Sequence, residues 1–343
     1  MTQFVDWDLA AATARTIGRA GPDIGLEHAT AAVTRLRECA AEATDRVADF
    51  TSLSPSTPHA TRVVDRAAWA AANIEGLKKV LDPMARKLSG EPSSATRLVG
   101  SRVAGAQAGA VLGFLSSKVL GQYEVFGEAN GQLLLVAPNI VEVERELRVD
   151  PADFGMWVCL HEATHAAQFG VPWLRGHFMS EIDAFASAAP GSGLGLMDRA
   201  RRGVEFLADA LRGADNGSSI VDLVTSPEQR AIVERLTALM TLLEGHADYV
   251  MDAVGPQVVS DVATLRERFD ARRATANPAQ KVLRRLLGMD LKLQQYIQGK
   301  KFTEAVVDEV GVERFNLVWS APEALPTSDE ISHPERWIDR VAG

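Results

Sequence analysis

A chain of 343 residues, 46% hydrophobic and 24% charged, has the composition of a soluble globular protein with a substantial core. Its formal net charge of -9 argues against a general phosphate-binding surface, so no nucleic-acid partner is expected. Two distant cysteines, Cys39 and Cys159, give no disulfide framework, and neither a signal peptide nor an apolar run long enough to span a bilayer is seen, which predicts a cytoplasmic protein without a membrane partner.

Abundant alanine and only 6% aromatic residues favour helix over sheet. Asp6 precedes a first helical run containing Leu9, Ala12 and Ile17, which ends near Gly18. A second helix is predicted from Glu27 to about Phe50, closed by Ser54-Pro55 and Thr57-Pro58, and a third from about Val63 to Leu88, with Pro83 as a kink point. The fourth starts after Ser93 or Ser94 and carries Gly100, Gly105, Gly109 and Gly113. Such glycines cost helix stability, so we read them as sites where a neighbouring backbone comes close, with a broken helix as the alternative.

The pattern then changes. Gln122–Phe126 and Gln132–Ala137 are short, apolar and β-prone, and Asn130-Gly131 between them suits a hairpin turn. From Asp150 onward helices return, ending in a tail punctuated by Pro322, Pro326 and Pro334. The expected fold is mainly α, with a small β-hairpin or sheet just upstream of the helix described next. An N-terminal helical region, 1–120, and a region bearing the chemistry, 121–343, are expected to pack as one compact unit.

That helix is predicted over Pro151–Phe169. Asp150 suits the N-cap, Pro151 the first turn and Asp153 the positive end of the dipole, while Gly170 and Pro172 close it. It contains His161-Glu162-Ala163-Thr164-His165. Residues four apart lie on one helix face, so both imidazoles can bind a single cation. Glu162, offset by one position, can face water at that cation as a general base, and zinc is the expected ion. An ordinary amphipathic helix with two core-satisfied histidines is the bland alternative.

A catalytic zinc needs a third protein ligand. Gln168 and Val171 stand where an elongated metzincin motif would have glycine and histidine, so the ligand must come from elsewhere. The best source is Leu243-Glu244-Gly245-His246-Ala247-Asp248, on a helix that starts at Ser226-Pro227 and ends at Gly255-Pro256. On its face with Met240, Asp248 and Met251, Glu244 would bind zinc and Asp248 could accept from the free ring nitrogen of a ligand histidine. Glu181, His177 and His246 stay open as alternatives; His246 points roughly opposite to Glu244 on an ideal helix.

A di-iron bundle is excluded because a second Glu-x-x-His pair is missing, and no phosphate loop, dinucleotide fingerprint or nucleophile elbow occurs. The predicted reaction is peptide hydrolysis of a peptide or protein substrate. The strand Leu133–Ala137 could pair with that substrate at an exposed edge, and Tyr296, ahead of Tyr249, is the candidate oxyanion donor. A zinc-stabilised helical scaffold that binds a protein or peptide without cutting it is the rival from another class.

Over nearly its whole length the chain resembles the zincin-like metallopeptidases of type 2. The resemblance is carried by Val5-Asp6-Trp7, Lys118-Val119-Leu120-Gly121-Gln122-Tyr123 and Val136-Ala137-Pro138-Asn139-Ile140-Val141, then by Trp157 to His165, Pro172-Trp173-Leu174-Arg175, Leu243 to Ala247 and Gln295-Tyr296. It implies a mostly helical zincin-like fold with metal at His161, His165 and Glu244.

Overall fold

Asp6 opens the first helix as its sequence predicts. Its carboxylate accepts from the Leu9 amide at 2.9 Å, and α1 (Trp7–Ile17) buries Trp7, Ala10 and Ala14. The structure, a computed structural model, describes residues 5–53, 60–88, 94–127, 131–188, 226–274 and 289–343. They fall into two units: Met1–Arg175 with Val250–Phe269, and Gly176–Tyr249 with Asp270–Gly343. No helix among the described residues is long and apolar enough to cross a membrane.

The first unit continues with α2 (Gly25–Thr51), β1 (Ala60–Val64), α3 (Arg66–Leu88) and α4 (Ser94–Leu115). The expected third helix thus starts late, because Ala60–Val64 is a strand. Thr61, Val63 and Val64 favour extended backbone, and Asp65, accepting from the Ala68 amide at 2.7 Å, starts the helix after them. The glycines of α4 serve close approach, as expected. A Cβ at Gly105, Gly109 or Gly113 would overlap the backbone carbonyl of Asp6, Ala10 or Ala14 on α1, whereas Gly100 has open space. Gly109→Ala therefore forces two backbones apart. We expect it to destabilise the protein by about 1–3 kcal/mol in chemical denaturation, and Gly100→Ala to be neutral or better.

The hairpin is present as β2 (Gly121–Glu124) antiparallel to β3 (Gln132–Val136); Asn130 of the predicted turn lies outside the described residues. β1 pairs in parallel with the other side of β3, giving the order β1-β3-β2. This corrects the expectation that Leu133–Ala137 offers an edge to substrate. β3 is the central strand, buried at every residue, and its backbone groups are used on both sides. Leu134 and Val136 pack with Trp7, Trp69, Ile74 and Leu112. By strand alternation Leu133 and Leu135 face the other way, and β2 and β3 contact α6 (Pro151–Phe169), which follows α5 (Ala137–Leu147).

Arg66 knits this unit. Its guanidinium donates to Asn139 Oδ1 at 2.6 Å, to the Ala20 carbonyl at 2.6 Å and to the Glu142 carboxylate. Asn139 in turn donates to the Ser116 carbonyl at 2.8 Å, so a buried cation joins the starts of α3 and α5 to the chain after α1 and α4.

After α7 (Leu174–Ser187), α8 (Pro227–Val258) is the longest helix described, and it runs past the predicted stop at Gly255-Pro256. Burial of Met251, Val254 and Val259 and the bond from the Val259 amide to the Gly255 carbonyl at 2.8 Å hold its last turn. α9 (Val262–Ala274) and α10 (Met289–Phe315, broken at Gly311 with φ 82°) are the remaining long helices among the described residues. Within the second unit α8 and α10 cross at backbone contact: a Cβ on Gly245 would overlap Gly299, and one on Gly299 would overlap Thr241. The proline-rich tail is packed, with Trp337 fully buried against Phe302 and its indole donating to the Ala324 carbonyl at 2.7 Å.

Candidate metal centre

α6 has the predicted bounds and caps. Asp150 accepts from the amides of Ala152 and Asp153, Pro151 occupies the first turn, and the Gly170 amide closes on Ala166. The helix is apolar all round because it is enclosed. Gly155 lies against Leu36 of α2, the Cys159 thiol faces the Leu36 carbonyl at 3.9 Å, and Trp157 meets Phe269 edge-on at 4.8 Å. From Phe154 to Gln168 every residue is buried except His161 and His165, which are half-buried. Burial also pushes the Cys159 thiol well above its ordinary range, so it is a neutral, inert packing group.

The two rings stand edge to face, with centroids 4.7 Å apart, and their Nε2 atoms lie 3.2 Å from each other. Two nitrogens each about 2.0–2.1 Å from zinc, subtending a tetrahedral angle, are separated by about 3.3 Å. The pair therefore fits one divalent ion, and a single shared proton satisfies the same distance in its absence. The outward nitrogens are engaged too. His165 Nδ1 meets Gln168 Oε1 at 2.9 Å, and His161 Nδ1 meets Met251 Sδ at 3.2 Å.

Glu162 is buried, and its carboxylate lies against β2. A Cβ built on Gly121 would come within 2.5 Å of Glu162 Cγ and within 2.8 Å of its Cδ and Oε1. Two residues along the strand, and so on the same face, Tyr123 stacks on Phe169 at 6.0 Å. Burial raises the Tyr123 phenol above its usual pKa and Arg175 partly offsets this, so the group is a proton donor at neutral pH.

The other sequence candidates divide as follows. Glu244 is buried on α8, and Asp248 and Tyr249 are half-buried one turn further on. His246 is buried against Phe315 and Trp319, with centroids 5.2 and 5.4 Å away, the environment of a core histidine. Glu181 is engaged by Arg235 at 2.7 Å, and His177 is half-buried on α7. Tyr296 falls on α10, where its side chain lies outside the described residues. Sequence reasoning missed Gln168 and Gly121. The first carried a signal, since its spacing of three from His165 puts it on the ligand's own face; the second carried none beyond preceding a strand.

The sequence matches the profile of a family described as zincin-like metallopeptidase over residues 5–338. A crystal structure from Chloroflexus aurantiacus, described as a candidate hydrolase with a novel fold, is similar at 29% identity and a TM-score of 0.71, covering 98% of each chain. No curated protein matches the sequence.

Proposed function

Because the chain belongs to the zincin-like metallopeptidase family, we propose that it is a zinc-dependent hydrolase of peptide bonds, with His161, His165 and Glu244 as protein ligands and Glu162 as general base. The observation that carries this reading is the 3.2 Å approach of the two Nε2 atoms on a helix otherwise buried from Phe154 to Gln168, with a carboxylate at the intervening position. For Glu244 the support is helical continuity. α8 brings Met251 to His161, and Glu244, two turns earlier in that helix, shares the face of Met251. The hydrolase description of the Chloroflexus aurantiacus protein agrees with the reaction class.

Bound zinc would supply Lewis acidity, polarising a carbonyl and making water a stronger acid. Glu162 takes the proton from the attacking water and returns it to the leaving amine nitrogen. Its buried position strengthens both transfers by excluding competing solvent. Among the described residues β2 is an edge strand, and its Gly121 touches Glu162, so an extended peptide adding to that edge runs past the base. Tyr296 remains the proposed oxyanion donor, and Tyr123 joins it as a second candidate on the face of β2 towards α6. Asp248, one turn from Glu244, stays a proposed acceptor for the ring nitrogen of a ligand histidine, a role that at His165 falls to Gln168.

Metal analysis tests the assignment. Purified wild type is expected to bind one zinc per chain. His161→Ala and Glu244→Ala should each weaken zinc by more than the roughly 10- to 100-fold typical of residues outside the ligand set. Glu181→Ala should leave it unchanged. Wild-type affinity in Glu244→Ala would remove Glu244 from the ligands.

A further inference from the structure

Gln168 is fully buried in the last turn of α6, which the amides of Gly170 and Val171 close by bonding to the carbonyls of Ala166 and Gln168. Its side chain is thereby fixed one turn beyond His165, with Oε1 at 2.9 Å from Nδ1. An amide oxygen can only accept, so this contact is a hydrogen bond when Nδ1 carries the proton. In a neutral imidazole the other nitrogen, Nε2, is then a bare lone pair, and Nε2 is the atom aimed at His161.

We propose that Gln168 is a positioning residue that presets His165 in the tautomer able to bind a metal, before any metal arrives. His161 Nδ1 faces the Met251 thioether, a weak acceptor that cannot fix a tautomer as an amide oxygen does. His165 is thus prepared by a neutral group from its own helix. The inference rests on the metal-site reading above but is tested separately from it.

The decisive measurement is the tautomeric state of His165 in chelator-treated, metal-free protein, read from long-range nitrogen–proton NMR correlations of labelled histidine and assigned with His165→Gln. Wild type is expected to show His165 protonated at Nδ1 and bare at Nε2; the reverse pattern overturns the proposal, whatever the protein does with zinc. Gln168→Met keeps the side-chain length and removes the strong acceptor. It should mix the tautomers and weaken zinc by about 10- to 100-fold in a chelator competition. Gln168→Glu restores an acceptor, so it should keep the Nδ1–H form and bind zinc more tightly than Gln168→Met. If Gln168→Met retains both the pure tautomer and wild-type affinity, or Gln168→Glu loses the Nδ1–H form, Gln168 does not set the ring. Failure of wild type to bind zinc would count against the metal site alone, since the metal-free spectrum still reports on Gln168.

Discussion

Replacement of Glu162 by glutamine is expected to lower peptide hydrolysis by about 100- to 10,000-fold, the range lost with a positioned general base. Zinc content should not change. Glutamine has nearly the same shape as glutamate and fits the same buried space against Gly121, but it cannot take a proton from water. The measurement is turnover of a quenched fluorescent peptide library beside metal content on the same preparation. The pairing of results matters, because loss of turnover together with loss of metal would point to damage of the site rather than removal of the base. Full activity in Glu162→Gln would remove Glu162 from the mechanism, and absence of turnover even in wild type would favour the scaffold reading.

The second large effect is expected at Gly121, a residue with no reactive group. Its missing side chain makes room for the Glu162 carboxylate. A methyl group there cannot move β2 easily, because β2 is bonded to β3, so the Glu162 side chain gives way instead, from Cγ outward to the carboxylate. Displacement of a reacting group by about 1 Å can cost on the order of 100-fold in rate. Gly121→Ala is therefore expected to reduce kcat by about that factor, with zinc affinity and thermal midpoint near wild type. A normal kcat would mean that the carboxylate has another productive position.

What the sequence made legible was governed by local signals. Asp150-Pro151 and Gly170 bound α6 because caps act within one turn, and the four-residue spacing of His161 and His165 determines a shared face in any α-helix. The glycines of α4 were readable for the same reason, since so many in one helix point to close contact, which Gly105, Gly109 and Gly113 make. The chain belongs to the family that its motifs resemble. β1 was missed, only Val63 and Val64 of it falling in a predicted helix, because five residues carry little periodicity. The central place of β3 depends on a parallel partner some seventy residues earlier, about which its own alternation is silent. The packing of Gly121 on Glu162, the crossing of Gly245 and Gly299, and the approach of Met251 to His161 are likewise products of tertiary structure.

The enclosure of α6 has a consequence for how such a centre is loaded. In small zinc modules the unbound chain is unfolded, and much of the ion's affinity is consumed in ordering it. Here the helix is already anchored by its caps, by α2 and by the sheet, so His161 and His165 stand at ligand spacing in the polypeptide itself. Little ordering entropy is left for the ion to offset. On the proposed reading, chelation is then expected to act as a reversible off-switch, silencing the chemistry while the architecture survives to be recharged.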